Sequence, residues 1–253
     1  MLIAVSIIFG ALIGSFLNVC ISRLPKEESI VTPGSHCPHC NKPIQFYDNI
    51  PLISYLLLKG KCRNCGQPIS IQYPIVEGVT ALMSFFLFVK FGPSPIYLLY
   101  FAFVAALIVI TVIDLYHQII PDVISFPGIG VGVLASLVLP HMKALNSISG
   151  VLLGGGSLFL VATLYQWFFK REGMGGGDVK LLAMIGAFLG WKAVILTILL
   201  SSLIGSISGI AIMVMKGKDF KYAIPFGPFL SLGAVISLLY GDALIQWYLN
   251  INR

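Results

Sequence analysis

Eight apolar runs, most of them long enough to cross a bilayer, recur along this 253-residue chain. They confine what it can fold into, because runs of that length belong in hydrocarbon. They fall near 2–22, 74–91, 96–115, 122–139, 148–169, 178–191, 193–215 and 226–249. Hydrophobic residues make up 57% and charged residues 10%, more apolar surface than a water-soluble domain can bury. The expected fold is all-α and polytopic, with about eight transmembrane segments. The sixth run is the short one: its roughly fourteen residues cover only about 21 Å at 1.5 Å each. It is expected as a short or re-entrant helix, with Trp191-Lys192 punctuating its far end. The first run has no basic n-region and no small-x-small cleavage site, so it reads as a retained helix and not as a removed signal peptide.

Basic residues orient these segments. With the N-terminus outside and eight crossings, Arg23, Lys26, Lys42, Lys59, Lys61, Arg63, Lys170, Arg171, Lys180, Lys216, Lys218 and Lys221 lie inside. Lys90, Lys143, Lys192 and Arg253 lie outside. Twelve against four is a positive-inside bias. It also accounts for the net charge of +6, so membrane lipid is the expected surrounding and no nucleic-acid partner is called for.

Acids are scarce, which makes two of them informative. Asp178 follows the glycine-rich run Gly173-Met174-Gly175-Gly176-Gly177 and opens an apolar segment; Asp114 ends another. An ionisable group in a membrane segment is expensive and by default marks function. Asp178 has a structural alternative as a helix N-cap, and Lys180 is close enough in sequence to neutralise it. The glycines argue for more than a cap, since they cost backbone entropy and admit a second backbone or an extended peptide. Asp114 stands at a helix C-terminus, where a negative charge opposes the dipole, and snorkelling is its alternative. Asp122, just after Pro121, suits the first turn of the next helix. In the topology above, Asp114 and Asp178 share the cytoplasmic side. If they meet, they share a proton: the ionised member takes a proton from water and the other donates to a peptide carbonyl. The helix N-terminus favours an ionised Asp178, which would make Asp114 the proton carrier.

The one long polar stretch, Arg23 to Tyr73, lies on the same side. It carries Cys37-Pro38-His39-Cys40 and Cys62-Arg63-Asn64-Cys65. Two C-x-x-C knuckles complete a tetrahedral four-cysteine site of zinc-ribbon type, and Gly66 suits the turn of the second. Two disulfides or a redox pair are the alternatives; a reducing compartment and the duplication argue against them. A closed Cys37–Cys40–Cys62–Cys65 site leaves no place for a catalytic water, so its expected role is to fold an insert too small for its own core. His36 and His39 flank the knuckle, but four cysteines suffice. Cys20 reads as a buried apolar residue, His117 as a solvated loop residue, and His141 carries no signal.

Residues 173–191, Gly-Met-Gly-Gly-Gly-Asp-Val-Lys-Leu-Leu-Ala-Met-Ile-Gly-Ala-Phe-Leu-Gly-Trp, resemble the GxGD signature of type IV prepilin peptidases, the bacterial leader peptidase/N-methyltransferases. Gly14-Ser15-Phe16-Leu17-Asn18-Val19 with Arg23-Leu24-Pro25 is similar to the family's N-terminal motif. The tetracysteine insert, with Asn49-Ile50-Pro51 and Tyr73-Pro74 to Glu77, is similar to its cytoplasmic domain. Pro225-Phe226-Gly227-Pro228-Phe229 resembles its last-span motif. The resemblance implies an aspartic intramembrane endopeptidase of the bacterial inner membrane, with Asp114 and Asp178 catalytic. Its substrates would be prepilins and pilin-like proteins, cut on the cytoplasmic side after a short basic leader. It also implies N-methylation of the new amine from S-adenosylmethionine. No nucleotide-binding pattern is present, so no cofactor-binding residues are assigned; Arg23, Lys61 and Glu77, where the insert joins the membrane, are the place to look, against a plain role in stabilising the insert.

The expected layout is a first helix at 1–22, a cytoplasmic methyltransferase-associated insert at 23–73 and a protease core at 74–253. Two other readings remain: a proton-coupled transporter using Asp114 and Asp178 as a relay, and a zinc-ribbon scaffold for a secretion machine.

Overall fold

The computed structural model describes residues 1–139, 142–170, 175–216 and 225–251. Gly173 and Met174 of the glycine-rich run, together with His141, Arg171, Lys218, Lys221 and Arg253, lie outside the described residues. Among the described residues there is no strand, and the α-helices are α1 (Leu2–Arg23), α2 (Ile53–Leu57), α3 (Gln72–Phe91), α4 (Pro95–His117), α5 (Asp122–Val138), α6 (Ala144–Phe169), α7 (Gly176–Lys216) and α8 (Gly227–Ile251). Six of them are long and apolar enough to cross a membrane, and α5 is a shorter apolar helix.

The sixth and seventh apolar runs share one element. α7 is two helical arms joined at Gly190, whose φ of 78° and ψ of 174° are non-helical. A side chain rarely adopts that φ, so glycine marks the joint. The break lies one residue before Trp191-Lys192, where the sequence was punctuated. With its arms counted separately, each of the eight apolar runs has a helical counterpart. The polytopic helical membrane fold is thus as expected.

The chain divides into two compact units, Met1–Val109 and Ile110–Arg253, with the boundary inside α4. In the first unit α1 lies directly on α3. A Cβ placed on Gly10 would come within 2.7 Å of the Ala81 Cα, and one on Gly14 within 2.7 Å of the Glu77 Cα. This is the small-xxx-small contact of membrane helices, in which backbones approach where side chains are missing. Ser84 completes the layer: its hydroxyl donates to the Ser6 carbonyl (2.6 Å) and pairs with the Tyr97 hydroxyl (2.7 Å), linking α1, α3 and α4. The Phe9 and Phe101 rings meet at 5.1 Å.

In the second unit the first arm of α7 is the core. Leu181, Leu182, Met184, Ile185 and Ala187 are fully buried, as expected for a helix that is apolar on every side. α6 packs along it so closely that Gly150 and Gly186 face each other with no room for a Cβ, and Gly154 meets the Leu182 carbonyl. Ser147 adds a hydroxyl bond to the Ala187 carbonyl at 2.7 Å. α5 contributes Gly132 against Ala187, and α8 brings Ser237 to Thr197 at 3.3 Å.

Candidate active site and metal centre

The second unit gathers four helix ends at one cleft. α4 ends there with Asp114 in its last turn, while α5, α7 and α8 all begin nearby. The cleft, about 280 Å³, is lined by Asp114, Asp178, Ile120, Gly175, Gly176 and Lys180, among others. The two carboxylates that stood out in the sequence therefore share one cavity. Asp114 is 5% exposed, and Asp178 is half-buried.

Asp114 is held by a residue that sequence reasoning gave no role. The Gly227 amide donates to Asp114 Oδ2 at 3.0 Å. Gly227 is the first residue of α8, and its N–H is one of the amides a helix leaves unpaired at its start. Asp114 thus caps α8 from another helix. A Cβ on Gly227 would sit 2.5 Å from Oδ2, so only glycine lets the carboxylate come this near. The signal was the run Pro225-Phe226-Gly227-Pro228-Phe229, a proline- and glycine-marked helix start.

Asp178 lies in the first turn of α7, which begins at Gly176, and its own amide donates to the Gly175 carbonyl at 3.2 Å. It is therefore inside the helix start and not the residue before it. Both carboxylates consequently face a helix N-terminus: Asp178 its own, Asp114 that of α8. The distinction that made Asp114 the proton carrier disappears. The glycines divide in function. A Cβ on Gly177 would meet Ile120 at 3.0 Å, whereas one on Gly176 would meet nothing. One glycine seats the helix start on the α4–α5 connection, and Gly176 leaves the cleft open.

Lys180 does not neutralise Asp178. Its Nζ pairs with Asp122, and it lies 5.4 Å from the centre of the Phe126 ring. Asp122, expected only to complement the α5 dipole, thereby joins the starts of α5 and α7. His117 is exposed at the end of α4 and is not among the residues lining the cleft.

In the first unit the four cysteines converge. The sulfurs of Cys37, Cys40, Cys62 and Cys65 all lie within 4.8 Å of one another, and Cys37 and Cys65 are 3.8 Å apart. A tetrahedral ion with metal–sulfur bonds of about 2.3 Å needs edges of roughly 3.8 Å. All four are free thiols. The knuckles are built alike. Cys37 and Cys62 donate their amides to the carbonyls of Lys42 and Gln67, and the residues after the second cysteines, Asn41 (φ 55°) and Gly66 (φ 71°), take the left-handed turn. The Cys65 and Asn64 amides lower the Cys62 thiol toward the thiolate that binds metal, while its neighbour Cys65 shifts the opposite way. Arg63 grips Asp48 with contacts of 2.6–3.1 Å and holds that carboxyl below its ordinary range. The donor set and spacing fit a structural metal.

Comparison with known proteins agrees with this division. Residues 8–91 match the Bacterial Peptidase A24 N-terminal domain, and residues 101–210 match the Type IV leader peptidase family. The chain is 37% identical over 271 residues to a prepilin leader peptidase/N-methyltransferase of Aeromonas hydrophila, covering 96% of this chain and 92% of that one. It is 37% identical over 268 residues to the protein of that name from Pseudomonas aeruginosa, covering 97% and 92%. The Legionella pneumophila protein of the same name is 35% identical over 271 residues, covering 96% and 93%. No solved structure matches. With near-complete coverage and two family matches in tandem, the chain belongs to the type IV leader peptidase family.

Proposed function

We propose that this chain is a bifunctional membrane enzyme that cleaves the leader from prepilins and pilin-like proteins and N-methylates the new amine, as the names of its relatives describe for them. The observation that carries the peptidase half is the pairing of Asp114 and Asp178 on one cleft in a chain with only 10 acids. Two carboxylates that share a cavity hold one proton between them. The ionised member accepts a proton from the attacking water. The protonated member donates to the scissile carbonyl oxygen; when the tetrahedral intermediate collapses, the member that took the water proton passes it to the leaving amine and the hydroxyl returns its proton to the other. Asp114 Oδ2 already accepts the Gly227 amide, so Oδ1 is the oxygen left for this work. Gly176 leaves open space in which an extended substrate segment can lie beside Asp178.

The metal is zinc, held by Cys37, Cys40, Cys62 and Cys65; four thiolates close its coordination, so it folds the insert and activates no water. The protein sits in the bacterial inner membrane with its N-terminus outside, and both the insert and the cleft face the cytoplasm. This orientation rests on the twelve-to-four distribution of basic residues. When bound, S-adenosylmethionine supplies the methyl group. The alternative of a proton-coupled transporter has no observation in its favour.

Incubating the purified protein with a prepilin-like peptide tests both halves by product mass. Cleavage after the leader is expected without methyl donor, and a further gain of one methyl group with it. An uncut peptide overturns the peptidase reading, and a cut but never methylated peptide overturns the methyltransferase reading.

A further inference from the structure

The two aspartates of the cleft stand on different elements, Asp114 in the last turn of α4 and Asp178 in the first turn of α7, so their separation depends on what ties those two ends together. α5 makes the tie. It begins directly after the connection that leaves α4, and it lies along the first arm of α7 with Gly128 against Met184 and Gly132 against Ala187. At the cleft this contact ends in two points. One is Ile120 on Gly177, where a Cβ would meet the Ile120 side chain at 3.0 Å. It limits how near the two backbones come but gives no direction along the cleft, because Gly177 has no side chain to grip.

The other point is directional. Lys180 Nζ pairs with the Asp122 carboxylate and lies 5.4 Å from the centre of the Phe126 ring. Asp122 and Phe126 are one turn apart on the same face of α5, so the lysine runs along that face to the helix start. Lys180 lines the cleft beside Asp178, whereas Asp122 is not among the lining residues. On the α4 side the path to Asp114 is short. The Gln118 amide donates to the Asp114 carbonyl at 2.9 Å, and Gln118, at φ 55°, turns the chain out of α4. A shift of Asp122 therefore passes through residues 118–121 to the backbone of Asp114.

The pair is partly solvated, with 28% of the Lys180 side chain and 59% of the Asp122 side chain exposed. An ion pair with that much water around it adds little to stability. Rate is more sensitive to position: misplacing a catalytic group by about 1 Å can cost roughly 10²-fold. A contact too weak to matter to the fold can thus matter to turnover.

We infer that the Lys180–Asp122 pair is a positioning device for peptide cleavage, tying the start of α7 to the α4–α5 connection and so setting Asp178 against Asp114. Both are positioning residues and neither carries a proton in the reaction. The inference rests on the reading of the cleft as the peptidase site.

The test is steady-state cleavage of a prepilin-like peptide by the full-length, zinc-replete protein in neutral detergent. Wild type is compared with Asp122→Asn, Lys180→Met, the double variant and Lys180→Arg. Each of the first two is expected to lower kcat about tenfold and to change KM less than threefold, with a thermal midpoint like that of wild type. The double variant should be no slower than either single one, because all three lose the same contact. Lys180→Arg keeps a cation within reach of Asp122 and should restore kcat to within threefold of wild type. Unchanged kcat in both single variants overturns the inference, and so does a loss that merely follows the fraction of protein unfolded. A raised KM at constant kcat overturns it by making Lys180 a substrate-binding group. Losses that multiply in the double variant, or a double variant restored to the wild-type rate, overturn it as well, since the two residues would then not act as one contact. Wild type that cleaves while its variants match it sinks this inference alone; wild type that never cleaves sinks the peptidase reading, and this inference with it.

Discussion

Asp114 depends on a hydrogen atom where other residues carry a side chain. The Gly227 amide reaches its Oδ2 at 3.0 Å because nothing projects from the Gly227 Cα. Gly227→Ala would force the carboxylate and the start of α8 apart by several tenths of an ångström. Since misplacing a catalytic group by about 1 Å can cost roughly 10²-fold, Gly227→Ala should lower the cleavage rate about ten- to a hundredfold. Gly176→Ala, whose Cβ meets nothing, should cost far less in the unbound protein's stability, and comparison of the two thermal midpoints checks that part. The carboxylates themselves were legible in the sequence. A lone acid at the edge of an apolar run has few ordinary explanations, and both Asp114 and Asp178 proved to line one cleft. Gly227 was not legible as a partner, because its contribution is a backbone amide brought to Asp114 across 113 positions of sequence. Lys180 offered a bland alternative as a neutraliser of Asp178, but two residues along a helix turn a side chain about 200°, and Lys180 pairs with Asp122 at the start of α5.

Helices in this protein are specified by where side chains are absent as much as by where they are apolar. α6 and α7 meet at Gly150 and Gly186, where a Cβ on either would collide with the other's carbonyl. Gly150→Val should therefore destabilise the second unit by about 1–3 kcal/mol or more through overpacking. Gly156→Val, on the same helix with open space around it, should be nearly neutral. Thermal unfolding in detergent distinguishes the two. The insert obeys a different rule. It has one five-residue α-helix, two single-turn 3-10 helices, two isolated bridges and two knuckles, and the proposed metal would supply its folding free energy. Removing the metal with a chelator should make Lys59, Lys61 and Arg63 rapid tryptic sites while α4 to α8 stay resistant. Unchanged digestion at these positions would mean the insert folds without metal. The knuckles were plain in the sequence, since C-x-x-C spacing alone fixes which sulfurs can share an ion. The second left-handed turn, at Asn41, was less visible because asparagine does not announce that conformation as Gly66 does.

At the scale of the whole chain, the apolar runs predicted the helices closely, and the short sixth run became one arm of α7 broken at Gly190. Hydropathy reads length and polarity well, and those are what a bilayer demands. It does not read cavities. The space around Glu77 and Asn18 is made by residues from α1, the insert and α3, each ordinary in its own segment. The two units differ in build: a first unit with a four-cysteine cluster and a cavity of about 460 Å³, and a helical second unit with two aspartates at its cleft. Cleavage of a prepilin-like peptide should be measured by mass for wild type, Asp114→Asn and Asp178→Asn, reconstituted at equal amounts. Each substitution removes a proton-transfer group worth about 10²–10⁴ in rate, and either alone should abolish the pair's function, so both variants are expected to fall to background. Cleavage by either variant within a few-fold of wild type would contradict the two-aspartate account.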